Sequence, residues 1–124
     1  MSGSVMILDD DDDLRETLAE MFQIMCGVDA VVAPDVAGMI AVGNEVLDCQ
    51  IAFIDVNLGA GQPSGIDAYH WLIDHEFHGR IVFLTGHARL QAQVEEAVTT
   101  GVAEVVQKPA SAKTLCELVA KAAA

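Results

Sequence analysis

The stretch Ile51-Ala52-Phe53-Ile54-Asp55-Val56-Asn57-Leu58 decides the fold, because four apolar residues end abruptly in one carboxylate. An unbroken apolar run of this kind predicts a strand buried on both faces, as in the middle of a parallel sheet. Asp55 then lies at the carboxyl end of that strand, where ligands gather in open α/β sheets. Taken alone, a turn or helix-cap role is the commoner one for such an aspartate.

Three further apolar runs also end in polar residues that can do chemistry. The runs and the residues that follow them are Val5–Leu8 with Asp9 and Asp10, Arg80–Leu84 with Thr85, and Val102–Gln107 with Lys108. Segments with apolar residues at helical spacing separate the runs, and a brief strand is predicted at Asp29–Ala33. Five strands alternating with five helices predict an α/β fold, a parallel sheet with helices on both faces. The polar residues are therefore expected at one sheet edge.

Helical spacing after the first strand predicts an inward-facing apolar stripe. Its members are Leu14, Leu18, Met21, Phe22 and Met25. Asp12 and Asp13 precede this stripe, where negative charge favours a helix N-terminus, and Gly27 follows it as a helix end.

Size and composition indicate a single domain over residues 1–124. The chain has 124 residues, 52% of them hydrophobic, which is enough for one core. A formal net charge of −13 opposes direct binding to nucleic acid and favours proteins or cations as partners. No apolar run reaches membrane-spanning length and no signal peptide is recognisable, so we expect no membrane insertion and a cytoplasmic location.

The three cysteines, Cys26, Cys49 and Cys116, are widely spaced and include no CxxC pair. We therefore predict that they are small apolar core residues in a reducing compartment. His75 and His78 lie three residues apart, but exposed positions near a helix end explain them better than a metal site does.

Four short motifs occur in order along the chain, separated by strand–helix units. They are Leu8-Asp9-Asp10 with Arg15 following, Ile54-Asp55, Leu84-Thr85 and Gln107-Lys108-Pro109. With these motifs the chain resembles the receiver domains of two-component response regulators, the CheY-like superfamily, over nearly its whole length. The resemblance implies a flavodoxin-like (βα)5 doubly wound parallel sheet with strand order 2-1-3-4-5.

The resemblance also implies a phosphoacceptor site centred on Asp55. Mg²⁺ prefers oxygen ligands, and carboxylates together with a backbone carbonyl suit it. The implied ligands of the ion are Asp9, Asp10, Asp55 and the backbone carbonyl of Asn57. Thr85 and Lys108 would contact the oxygens of the phosphoryl group.

The resemblance further implies the partners of such a site. The phosphoryl donor would be a histidine kinase or a histidine phosphotransfer protein, and phosphorylation would switch a surface that binds a downstream protein target. A domain of this kind catalyses only its own phosphorylation and dephosphorylation, so we do not expect an enzyme with a separate substrate. A free-standing regulator and a receiver domain excised from a hybrid histidine kinase both fit the sequence.

Three features depart from the usual receiver pattern. Val105 stands where the family often has Tyr or Phe as a rotameric switch. The loop after Asp55 is about two residues longer than usual, with Ser64 where an Asp commonly precedes the glycine. His87 stands two residues after Thr85, at a position that in the family tunes hydrolysis of the acyl phosphate. These positions concern the output surface, partner docking and the lifetime of the phosphorylated state.

Two other functional classes fit the same residues less well, and a third stays open. A Mg²⁺-dependent phosphohydrolase of haloacid-dehalogenase type needs an Asp two residues after its nucleophile, and this chain has Asn57 there. The glycine-rich segment 59–65 lacks the Gly-Lys-Ser/Thr end of a phosphate-binding loop and matches no dinucleotide fingerprint. A receiver-like interaction module without phosphoryl turnover stays open, and Val105 and the altered loop are the features that favour it.

Overall fold

Five parallel strands form one sheet in the order β2-β1-β3-β4-β5, in a computed structural model that describes residues 4–56, 64–86, 98, 101–108 and 110–123. The strands are β1 Ser4–Leu8, β2 Asp29–Ala33, β3 Ile51–Asp55, β4 Arg80–Thr85 and β5 Ala103–Gln107. The helices are α1 Asp12–Met21, α2 Val36–Val42, α3 Asn44–Leu47, α4 Gly65–Asp74 and α5 Ala112–Ala123. The predicted flavodoxin-like fold and its strand order are thereby confirmed.

Alternation along the buried strands divides the core into two parts, one on each face of the sheet. On the first face, every second residue of β1, β3 and β4 packs against α2 and α4, as Met6, Ala52 and Phe83 do. The intervening residues, among them Ile7 and Phe53, pack against α1 and α5. The two helices α1 and α5 therefore lie side by side on one face, and α2 and α4 lie on the other.

The first helix begins at Asp12 and its helical continuation ends at Gly27, as the sequence predicts, but its last turn is not α-helical. Asp11 is its N-cap, and the Asp11 carboxylate accepts a hydrogen bond from the Leu14 amide at 3.1 Å. At its other end α1 continues as a π-helical turn over Phe22–Cys26, which changes the rotation of successive side chains. Met25 is consequently 61% exposed, so its predicted place in the core was wrong, whereas Phe22 is fully buried.

The prediction of three unpaired core cysteines was wrong for two of them. Cys26, the last residue of the π-helical turn, forms a disulfide with Cys116 of α5. The pairing is possible because α1 and α5 share one face of the sheet, which a count of cysteine spacings does not reveal. Cys49 is free and buried, as predicted.

The start of α4 packs tightly against the end of β3. The Gly65 amide donates a hydrogen bond to the Val56 carbonyl at 3.0 Å. A Cβ atom on Gly65 would lie 2.5 Å from the backbone oxygen of Asp55 and 2.9 Å from Cα of Val56. Only a residue without a side chain fits this contact, which holds the helix and the strand end together.

Two segments predicted from the sequence lie largely outside the described residues. The helix predicted from Leu90 to Val98 is described only at Val98, which is partly buried against the first part of the core. The predicted loop after Asp55 is described from Ser64 onward, where Ser64 and Asp67 form a capping box at the start of α4.

Candidate functional site

Three carboxylates converge at the carboxyl edge of the sheet. Asp9, Asp10 and Asp55 each offer an oxygen atom, and these three atoms lie within 4.8 Å of one another. The register explains the convergence, because Leu8 pairs with Ile54 across β1 and β3, and the aspartates follow directly. Asp9 is fully buried and Asp55 is 6% exposed, whereas Asp10 faces solvent.

A lysine bridges two of these carboxylates. The Nζ atom of Lys108 lies 2.9 Å from Oδ2 of Asp9 and 3.4 Å from Oδ2 of Asp55. Burial alone would lower the pKa of Lys108, but the hydrogen bond to Asp9 and the charges of Asp55 and Asp9 outweigh it and raise that pKa. Lys108 is therefore a stable cation that offsets part of the negative charge of the cluster.

The β1–α1 turn fixes the side chain of Asp9 from its other side. The Asp11 amide donates to Oδ1 of Asp9 at 3.0 Å, so both carboxylate oxygens of Asp9 have partners. Arg15 donates from Nη1 to the backbone carbonyl of Asp9 at 2.8 Å and from Nη2 to the Asp12 carboxylate. Sequence reasoning noted Arg15 as part of the motif but missed these contacts. An Arg one turn into a helix that follows an acidic turn is the signal that could have indicated them.

Thr85 ends β4, the strand between those that carry Asp55 and Lys108. It is 5% exposed, and its backbone carbonyl accepts a hydrogen bond from the Lys108 amide at 2.8 Å. This bond continues the pairing of β4 with β5 and sets where the Lys108 side chain begins. The ends of β1, β3, β4 and β5 thus bring five of the six predicted site residues to one edge.

The sixth predicted site residue, Asn57, lies outside the described residues, as do His87 and Pro109. Val105, the position of the family's aromatic switch, is half-buried in β5 and packs against the first part of the core.

The donor set suits a hard divalent cation. Carboxylate oxygens are the ligands that Mg²⁺ prefers, and three of them converge here, one of them facing solvent. Clustered carboxylates also repel one another, and the single ammonium of Lys108 compensates for only part of that charge. The residues therefore fit Mg²⁺ both in donor chemistry and in charge.

A groove of about 200 Å³ lies beside Lys108 between α1 and α5. Its lining, which is mostly apolar, comprises Leu14, Leu18, Leu84, Lys108, Ala110 and Leu115. We call it the α1–α5 groove.

No helix in the described part of the chain has both the length and the apolar character needed to cross a bilayer.

Comparison with known proteins agrees with this architecture. The family model for the response regulator receiver domain matches residues 5–120. A search of curated protein sequences finds no match to the chain.

Solved structures of similar fold include three that cover almost the whole chain. Chemotaxis protein CheY4 of Vibrio cholerae superposes with a TM-score of 0.81 at 18% identity, covering 98% of this chain and 99% of that one. A CheY-like receiver domain protein of Methanospirillum hungatei superposes with a TM-score of 0.83 at 18% identity, covering 98% of this chain and 93% of that one. The receiver domain of NtrX from Brucella abortus superposes with a TM-score of 0.80 at 20% identity, covering 95% of this chain and 96% of that one.

The family match spans nearly the whole chain, and the fold is that of the CheY-like proteins. The chain therefore belongs to the response regulator receiver domain family, the receiver domains of two-component signalling systems.

Proposed function

We propose that Asp55 accepts a phosphoryl group from a histidine kinase or a histidine phosphotransfer protein in a Mg²⁺-dependent reaction. The observation that carries the proposal is the convergence of Asp9, Asp10 and Asp55 within 4.8 Å, with Lys108 bridging two of them. Isolated turn or cap residues have no reason to share one site in this way, and the family match supports the same chemistry.

Asp55 acts as the nucleophile. One of its carboxylate oxygens attacks the phosphorus atom, a P–O bond forms, and the P–N bond to the donor imidazole breaks. The bonding electrons leave with the ring nitrogen, and the product on Asp55 is an acyl phosphate. Attack requires the ionised carboxylate, and the Lys108 ammonium lies 3.4 Å from Oδ2 of Asp55.

Asp9, Asp10, Asp55 and the backbone carbonyl of Asn57 are the groups that would hold Mg²⁺. When bound, the ion supplies positive charge that offsets the repulsion between the Asp55 carboxylate and the incoming phosphoryl oxygens. Asp9 is held rigidly for this role, because the Asp11 amide and Lys108 fix both of its oxygens.

Lys108 and Thr85 would receive the phosphoryl oxygens. Lys108 can exchange its contact with Asp55 for a contact with the phosphoryl group, since its flexible stem ends in a point charge with three donors. The Thr85 hydroxyl would donate to another oxygen. A shift of Thr85 moves the end of β4, which we infer is how phosphorylation alters a surface for a downstream protein target.

We infer that the domain catalyses only its own phosphorylation and dephosphorylation, as a signalling domain rather than an enzyme with a separate substrate. The cytoplasmic location and the single-domain extent over residues 1–124 stay predictions. One observation favours the alternative of an interaction module without phosphoryl turnover: the switch position is the half-buried Val105, which has no ring to flip.

Intact-mass measurement after incubation with acetyl phosphate and Mg²⁺ tests the proposal. We expect one phosphoryl adduct on the wild-type protein, none on Asp55→Asn, and an unchanged adduct on the control Asp74→Asn at the exposed end of α4. Omission of Mg²⁺ should abolish the adduct. A wild-type protein that stays unmodified, or an Asp55→Asn variant that is still labelled, would refute it.

A further inference from the structure

The disulfide between Cys26 and Cys116 joins two helical segments whose cysteines are 90 residues apart in sequence. Cys26 ends the π-helical turn that continues α1, and Cys116 lies in α5 next to Leu115, which lines the α1–α5 groove. The covalent bond therefore connects the two helices that form the walls of this groove beside Lys108.

The disulfide lies at the edge of the core and is partly exposed. Cys26 and Cys116 are each half-buried, and the residues around Cys26 face solvent, with Ile24 81% and Met25 61% exposed. Gly27, which follows Cys26 with a left-handed backbone, is exposed as well. Exposed disulfides are the ones that exchange readily with thiols, whereas fully buried ones resist reduction.

Buried side chains of both helices pack beneath the disulfide. Phe22 is fully buried and stacks on Phe53 with ring centroids 5.2 Å apart. On the opposite helix Leu115, Leu118 and Val119 are buried in the same part of the core. These residues hold α1 and α5 to the sheet through side-chain packing, in addition to the covalent bond.

We propose that Cys26 and Cys116 form a redox modification site whose substrates are thiol reductants and low-molecular-weight disulfides. A reductant thiolate attacks one sulfur, the Cys26–Cys116 bond breaks, and a mixed disulfide forms. A second thiol resolves it, which leaves two cysteine thiols and the oxidised reductant. Two electrons and two protons pass to the protein in this direction, and a disulfide oxidant reverses the exchange. The inference goes beyond the proposed phosphorylation and does not depend on it.

The two redox states would differ in how α1 and α5 are joined. In the oxidised state the end of the π-helical turn is covalently joined to α5 at Cys116, so the two helices would move together. In the reduced state only side-chain packing joins them, and we expect larger opening fluctuations of the π-helical turn and of α5.

Counting free thiols in the folded protein tests the site. The Cys49→Ala variant removes the only other cysteine, so alkylation reports the pair alone. After incubation in glutathione buffers of increasing reducing strength, we expect intact mass to show a change from no alkyl groups to two, reversible on reoxidation, with an unchanged far-UV circular dichroism spectrum. If alkylation requires denaturant, or if reduction unfolds the chain, the cross-link is purely structural and the inference is wrong.

Hydrogen exchange separates a redox-sensitive contact from a passive one. Amides of Phe22–Cys26 and of α5 around Cys116 should exchange on the order of tenfold faster in the reduced protein. The double variant Cys26→Ser with Cys116→Ser should show the same fast exchange in both buffers. Equal exchange in the oxidised, reduced and double-variant proteins would contradict the inference, since the bond would then restrain nothing.

Discussion

Gly65 offers a direct test of how the candidate site is positioned, because its contact with β3 leaves no room for a methyl group. A Cβ atom at this position would lie 2.5 Å from the Asp55 carbonyl oxygen, about 1 Å closer than ordinary van der Waals contact allows. The clashing atoms belong to the backbone and cannot rotate away. In Gly65→Ala, either α4 or the end of β3 must therefore move by roughly 1 Å.

The expected cost follows from this overlap. Overpacking of a tight contact destabilises proteins by about 1–3 kcal/mol, and the better helix propensity of alanine returns less than 1 kcal/mol of that. The net cost is about 0.5–2 kcal/mol, so we expect the midpoint of thermal unfolding of Gly65→Ala to fall by roughly 2–8 °C. Since Asp55 belongs to the displaced strand end, its rate of modification by acetyl phosphate should fall on the order of 100-fold.

Gly86→Ala is the matched control, because a Cβ atom there has no neighbour within 4 Å among the described residues. Thermal unfolding followed by circular dichroism should separate the two variants clearly. If the free energy of unfolding of Gly65→Ala lies within about 0.5 kcal/mol of the wild-type value, the close approach of α4 to β3 does not restrict residue 65. If it is destabilised but labelled by acetyl phosphate at the wild-type rate, the contact does not position Asp55.

Three further predictions concern charge and ionisation. Asp10→Asn should raise the melting temperature without Mg²⁺, since it relieves carboxylate repulsion. The variant should lose the gain of about 2.7 kcal/mol in the free energy of unfolding that is expected at a hundredfold excess of Mg²⁺ over its Kd. The control Asp13→Asn should keep that gain. Lys108→Met leaves the buried Asp9 carboxylate without its cation, so the free energy of unfolding in urea should fall by about 2–4 kcal/mol. Adding Asp9→Asn to this variant should recover most of the loss. No recovery would contradict the pairing of Lys108 with Asp9. Burial raises the pKa of the Cys49 thiol above its ordinary value of 9.0, so the unfolded chain loses this proton first. The free energy of unfolding should therefore fall as pH rises above about 9, by up to 1.4 kcal/mol per pH unit. Urea titrations between pH 8 and 10 should show that Cys49→Ala removes this part of the dependence on pH.

Much of the fold could be predicted from the sequence because buried parallel strands leave a direct signal. Ile51–Asp55 and Arg80–Thr85 are apolar on both faces, so their positions follow from composition alone. The polar residue at each strand end then falls at one edge by the geometry of a parallel sheet. The convergence of Asp9 and Asp55 needed no information beyond strand order.

Features that depend on exact helical rotation were not predictable in this way. Met25 fits a regular helical stripe, but the π-helical turn at Phe22–Cys26 rotates it into solvent. The pairing of Cys26 with Cys116 likewise depends on which face of the sheet each helix covers and on that same rotation. The double contact of Lys108 with two carboxylates depends on side-chain reach, which sequence spacing does not specify.

The disulfide also divides the chain topologically. Cys26 and Cys116 close a covalent loop that contains β2, β3, β4 and β5, whereas β1 lies outside it even though it occupies an inner place in the sheet. A mechanical pull on the two ends of the oxidised chain can therefore extend only the two segments outside the loop. Extension of the segment before Cys26 requires β1 to detach from both of its neighbours. In the reduced chain the same pull acts on every strand in turn, so the oxidation state limits how far the molecule can be stretched.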